Sequence, residues 1–170
     1  MAKSDSFFIR KTLNIGNDTT FVQEAIDLGS FVSALDRSVL RIHNVQVTYS
    51  DNQGTSSLIN GTKVGVAQWV LTTQSQADTP RDDDRSVISS GRVHMYNQDA
   101  TNGLATQVTD VNGVNLQEWR NGYLVATDQI YLGGEATSTF VGNVYVTVVL
   151  ECTVETMSQS AAMALSLSQQ

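Results

Sequence analysis

The densest run of reactive side chains is Arg81-Asp82-Asp83-Asp84-Arg85, directly after the only proline, Pro80. Three adjacent carboxylates offer the oxygen donors that Ca²⁺ collects, about six to eight at a time. The spacing is not that of an EF-hand loop, and the flanking arginines offset the charge. Asp82, Asp83 and Asp84 are therefore weak metal candidates, better explained as a solvated loop or as partners for salt bridges between subunits. Asp110, Glu118, Asp128 and Glu135 add carboxylates in the C-terminal half. Paired carboxylates hydrolyse glycosides when held roughly 5–10 Å apart, and nothing in the spacing of these four sets such a distance. Trp119-Arg120-Asn121-Gly122-Tyr123 is the best candidate for a sugar-stacking platform, with Trp69, Tyr96 and Tyr131 as further aromatics. The competing reading puts Trp69 in the core, between Ala67 and Leu71, and uses Trp119 to seal one end of the domain or an interface.

The remaining nucleophiles and ligands are sparse. Cys152 stands alone, which excludes an internal disulfide and a cysteine zinc site, and its place in a strand pattern marks it as a small core residue. His43 and His94 lie far apart and have no partner at ligand spacing. No serine sits in a G-x-S-x-G context. Asn17-Asp18-Thr19 and Asn60-Gly61-Thr62 match the glycosylation triplet but read as turns. No enzyme, cofactor or catalytic residue is expected.

Charge narrows the partners. The 170 residues carry 10 basic and 17 acidic side chains, a net charge of −7. Charged residues make up 16% of the chain, against about 25% in an ordinary soluble domain. Their place is taken by 17 Ser and 18 Thr, while Lys occurs 3 times. The basic residues are scattered, none follows Arg120, and no charge follows Glu155. Direct nucleic-acid binding needs a Lys/Arg cluster and is not expected. The longest apolar stretch, residues 144–150, is far short of the roughly twenty that span a bilayer. The polar start, Met1-Ala2-Lys3-Ser4-Asp5-Ser6, has no apolar signal region, so synthesis in the cytoplasm is expected.

These side chains must be positioned by strands. Val is the commonest residue, at 20, and Val with Thr favours pleated sheet. From 143 to 156 the residues alternate: Val144, Val146, Val148, Leu150, Cys152 and Val154 share one face, and Tyr145, Thr147, Glu151, Thr153 and Glu155 the other. Period two over this length predicts a strand of roughly 40 Å with one buried face. A second strand is expected over 123–132, with Asp128 marking a bulge or strand end and Gly133-Gly134 a turn. Others are expected at 7–15, 21–28, 39–49, 63–73, 87–96 and 106–111. Turn residues separate them, among them Asn60-Gly61, Asn102-Gly103, Asn112-Gly113 and Asn121-Gly122. Eight such strands predict an all-β antiparallel sandwich over 1–156. Residues 157–170 form an uncharged tail: Met157, Ala161, Ala164, Leu165 and Ser168 fall at helical spacing and Ser158 is a cap candidate. The tail reads as a frayed end, or as a helix or arm that packs on a neighbouring copy.

In its strand rhythm, its Ser/Thr/Asn-rich polarity and its long last strand, the chain resembles the single jelly-roll capsid proteins of small icosahedral viruses. Residues 122–134 followed by 143–151 look like the closing hairpin of such domains. The resemblance implies an eight-stranded jelly roll of two four-stranded sheets that assembles into a capsid shell, made in a host cytoplasm and residing in the virion. Its partners would be other copies of itself, with or without a second capsid protein. The first residues hold only Lys3, Arg10 and Lys11 as cations, so the inner face would meet a membrane or an inner protein layer rather than bare nucleic acid. Subunit-interface candidates are Phe7 and Phe8 at the apolar start, Trp119 and Tyr123 at the loop, and Met157, Leu165 and Leu167 in the tail. A carbohydrate-binding sandwich, using Trp119, Tyr123 and Ca²⁺ at Asp82–Asp84, and a phage tail or decoration protein are the alternatives.

Overall fold

The computed structural model describes residues 4–33, 35–115 and 118–170, so Lys3 lies outside the described residues. Alternation lays down β1 (Phe7–Gly16), β2 (Val22–Asp27), β3 (Ser38–Ser50), β4 (Val64–Thr72), β5 (Val87–Tyr96), β6 (Gln107–Asn112), β7 (Tyr123–Val125), β8 (Gln129–Ala136) and β9 (Val144–Thr156), followed by a helix, α1 (Gln159–Ser168). The antiparallel pairs nest: β1 with β9, β2 with β8, β3 with β7, and β4 with β5. Such a ribbon of pairs, wound so that β9 also joins β3 and β8 also joins β4, is a jelly roll. It yields sheet A, in the order β1-β9-β3-β7, and sheet B, in the order β2-β8-β4-β5-β6.

The inward faces of the two sheets build the core. β9 supplies Val144, Val146, Val148, Leu150 and Cys152, β3 supplies Leu40, Ile42 and Val45, and β4 supplies Ala67, Trp69 and Leu71. Trp69 and Cys152 are thus core residues, and burial, with a smaller contribution from Glu151, pushes the Cys152 thiol up to about 12. Removing this apolar surface from water is the main stabilising term.

The structure corrects the sequence reading at five places. Residues 123–132 are not one strand. β7 ends at Val125 in sheet A and β8 begins at Gln129 in sheet B, with 126–128 crossing between them. A strand cannot pair in both sheets without bending, and Asp128 lies in the bend. Gly133-Gly134 is no turn but the buried middle of β8. A Cβ at Gly133 would collide with the Phe21 ring, and one at Gly134 would lie 2.5 Å from the Gln68 carbonyl oxygen. Glycine is needed there for close packing rather than for reversal. Nor do β8 and β9 form a closing hairpin: they belong to different sheets, and β9 is filled on both sides by β1 and β3. Finally, β6 adds a fifth strand to sheet B.

The alternation of β9 also changes after Cys152. Thr153 and Glu155, on the predicted solvent face, are buried, while Val154 is half-buried. A register shift in β3 between Ile42 and Asn44 lies opposite this point. Beyond it the outer face of sheet A is covered by α1 (below).

Candidate functional site

Period two sends the first two aromatic candidates apart. Phe7 turns inward and stacks on Phe31, with ring centroids 4.8 Å apart. Phe8 faces outward and is 54% exposed, with the Arg10 guanidinium carbon 5.6 Å from its ring centroid. At the opposite edge of sheet A, Trp119 and Tyr123 meet at 6.2 Å between centroids. Gly122 allows this approach: its φ is +62°, and a Cβ there would collide with the Ile42 carbonyl. Trp119 remains 44% exposed, while Tyr123 is half-buried and burial raises its phenol above its ordinary value.

The tail is a helix that docks on its own chain. Ser158 caps it, accepting the Ala161 N–H at 3.3 Å. One side lays Ala162 and Leu165, together with Met157, against Val39, Leu124 and Ala126. The other side presents Met163, 49% exposed, and Leu167, 70% exposed. Just past α1, buried Gln169 accepts the Ala126 N–H at 2.9 Å and donates to the Leu124 carbonyl at 2.7 Å. A primary amide with one acceptor and one donor so placed substitutes for one peptide of a neighbouring strand. It closes the free edge of β7. Beneath this region Arg41 holds Glu155 through two hydrogen bonds, Nε to Oε1 at 2.7 Å and Nη2 to Oε2 at 2.8 Å. The side chains are 17% and 8% exposed, and hydrogen bonding to Glu155 raises the Arg41 guanidinium further. Arg41, Arg85, Tyr123, Leu165 and Gln169 border a groove of about 320 Å³.

The structure therefore gathers Tyr123, Met157 and Leu165 around the docked tail and leaves Phe8, Trp119 and Leu167 facing solvent. Phe7 is spent on an internal stack. Sequence reasoning missed Gln169, Glu155 and Arg41. The two ionic residues do stand on the polar faces of β9 and β3, but only the strand register brings them together. A glutamine in a polar tail carries no signal of its own.

The acidic run lies elsewhere, on the outer side of sheet B, where it borders a cleft of about 680 Å³. Its carboxylates point three ways. Asp82 accepts the Ser90 hydroxyl at 2.5 Å, and Asp83 faces the Arg81 Nε at 3.2 Å in an exposed pair. Asp84 accepts the Ser86 N–H at 2.8 Å and its hydroxyl at 2.7 Å, which hold its carboxyl below the usual range. Among the described residues no three His, Cys, Asp or Glu side chains converge as a metal site. Of the four other carboxylates, only Glu135 reaches this cleft, where it accepts hydrogen bonds from Gln68 and, at 3.2 Å, from Thr79. Asp110 and Asp128 are exposed on β6 and in the 126–128 crossing, and Glu118 precedes Trp119.

The strand order defines the class: a jelly roll with one added edge strand and a docked C-terminal helix. No protein-family model and no curated protein matches the chain. Among solved structures it is similar to the unassembled pentamer of Merkel cell polyomavirus VP1, with 9% identity over 89% of this chain and 96% of that one, at a TM-score of 0.38. It is also similar to a chain of Desmodium yellow mottle tymovirus, with 11% identity over 87% of this chain and 89% of that one, at a TM-score of 0.27. The jelly-roll assignment rests on the strand order, and these low scores add nothing to it. The fold is shared by viral capsid, lectin and cupin domains, so it does not by itself choose a function.

Proposed function

We propose that the protein is a structural subunit that associates with copies of itself into a shell of the viral capsid type. The observation that carries this reading is the state of the tail. The helix docks one side on its own sheet and still presents Met163 and Leu167 outward, with no charge anywhere from 156 to 170. A helix of this kind is poorly suited to water on its outer side and well suited to a neighbour's surface. Phe8 and Trp119 add exposed aromatics to a surface that holds few charges. Many weak contacts of this kind sum to a stable assembly. No helix among the described residues is long and apolar enough to cross a membrane. Negative-stain microscopy and light scattering of the purified protein test the proposal. Large regular particles, lost on Met163→Lys/Leu167→Lys substitution with the fold retained, are expected. A monomer at every concentration would overturn it.

One observation favours a second reading, a carbohydrate-binding sandwich. The cleft beside the acidic run brings Asp82, Glu135, Gln68 and Arg92 together, a mixture of acceptors and donors suited to sugar hydroxyls. Titration with a panel of monosaccharides, read by chemical-shift changes at Gln68, Arg92 and their neighbours, separates this reading from the first.

A further inference from the structure

A sandwich of two sheets has four edge strands, here β1, β7, β2 and β6. Three are managed. The β7 edge is closed by the Gln169 amide. The β1 and β2 edges lie against each other along one seam, where Lys11 of β1 and Glu24 of β2 form an ion pair at 2.5 Å. β6 is different. Among the described residues it pairs only with β5, and all six of its side chains are exposed. Val108 is 57% exposed and Val111 41%. Its sequence, Gln-Val-Thr-Asp-Val-Asn, contains no Lys or Pro, two residues that commonly protect such an edge, and its one charge is Asp110. On one face Asp110 and Asn112 border a pocket shared with Val47 and Tyr49 of β3, yet both stay exposed.

We propose that β6 is a docking edge to which β6 of a second copy adds, antiparallel and about a two-fold axis, joining the two B sheets into one. The inference deepens the self-association reading and rests on it. The strand's own sequence argues for a second copy as the occupant. A two-fold axis perpendicular to a sheet passes through one residue of the strand and sets residues of the same parity opposite each other. An axis through Asp110 would put two carboxylates directly opposite, which is unfavourable. An axis through Thr109 avoids this. It pairs Thr109 with Thr109 of the other copy, Val108 with Asp110, and Gln107 with Val111, and it uses nearly the whole strand. With one charge per strand, two copies meet with little repulsion, and main-chain hydrogen bonds supply the attraction, as in other strand additions.

Engineered cysteines test the geometry, because the native Cys152 is buried and does not compete. Thr109→Cys should give a disulfide-linked dimer under mild oxidation, since directly opposed Cα atoms lie about 4.5–5.5 Å apart. Asn112→Cys should not, because its two copies would be roughly 20 Å apart along the strands. Thr109→Lys should leave the circular dichroism and thermal midpoint unchanged, as the position is exposed, while weakening association at least tenfold in sedimentation. If the wild type associates but Thr109→Cys does not cross-link, or Thr109→Lys associates as well as the wild type, the β6 contact is wrong and self-association stands. If the wild type never associates, both readings fall.

Discussion

The Oε1 of Gln169 lies 2.9 Å from the backbone nitrogen of Ala126, and this one hydrogen bond joins the end of the chain to the edge of sheet A. With the reciprocal bond to Leu124 it makes a side chain do the work of a strand. The tail is thereby fastened to its own subunit, rather than left as a free arm.

Gln169→Ala should cost about 1–3 kcal/mol, because the Ala126 N–H would be left without its buried partner. For a domain of this size that lowers the thermal midpoint by roughly 2–12 °C. Gln169→Glu keeps the acceptor but sets a buried carboxylate oxygen against the Leu124 carbonyl, so it should cost at least as much as the alanine change. Thermal unfolding by circular dichroism decides; an unchanged midpoint in the alanine variant would mean the edge is not closed by this residue.

Glu155→Gln leaves the partly buried Arg41 guanidinium beneath the tail without its carboxylate but with an amide oxygen and the Asn121 carbonyl as acceptors, and should cost about 1–3 kcal/mol. The double replacement Arg41→Met/Glu155→Leu removes both charges and should be less destabilising than either single change. Chemical denaturation of the wild type, Arg41→Met, Glu155→Leu and the double variant gives the coupling directly.

Stability should respond to pH at both ends. Hydrogen bonds from Thr55 and Gln53 to Asp51, from Ser86 to Asp84, and from Thr101 and Asn102 to Asp99 hold these carboxyls below their ordinary value. The folded state therefore releases these protons more readily than the unfolded chain. Their contribution is present above the unfolded value of about 3.9 and is lost as pH falls through the lower folded values. At the alkaline end Cys152 works the other way. The unfolded thiol ionises near about 8.5 while the folded one holds its proton to about 12, so stability falls over that interval. Midpoints measured from pH 3 to 11 should show both flanks, and Cys152→Ala should flatten the alkaline one up to about pH 10, where the raised phenols of Tyr49 and Tyr123 take over.

Gly134→Ala should destabilise the fold even though alanine suits a strand better than glycine. The new Cβ would lie 2.5 Å from the Gln68 carbonyl oxygen and 2.8 Å from Ile15 Cγ2. Overpacking of this kind costs about 1–3 kcal/mol. The same substitution at Gly142, where a Cβ meets nothing within 4 Å, is the control and should leave the midpoint unchanged.

Most of the strands were legible because period-two burial is a local pattern. Val144 to Cys152 alternate for the same reason in the sequence and in sheet A. The tail helix and its Ser158 cap were legible too, since both depend on neighbours a few residues apart. The bend at 126–128 was not, because whether a run of strand-forming residues stays in one sheet depends on which partners it meets. Gly133 and Gly134 looked like a turn for the same reason: the demand for glycine comes from Phe21 and Gln68, which lie far off in the sequence. Asp82 and Glu135 share a cleft although 52 intervening residues separate them.

By itself the sequence determined the composition of the surface, the antiparallel all-β character and the buried face of β9, all set by side-chain chemistry and short-range periodicity. Only the tertiary structure decided which edges are open. An edge is defined by the strand that is missing beside it, so the closing of β7 by Gln169 and the exposure of β6 become visible only once every other strand has found its place.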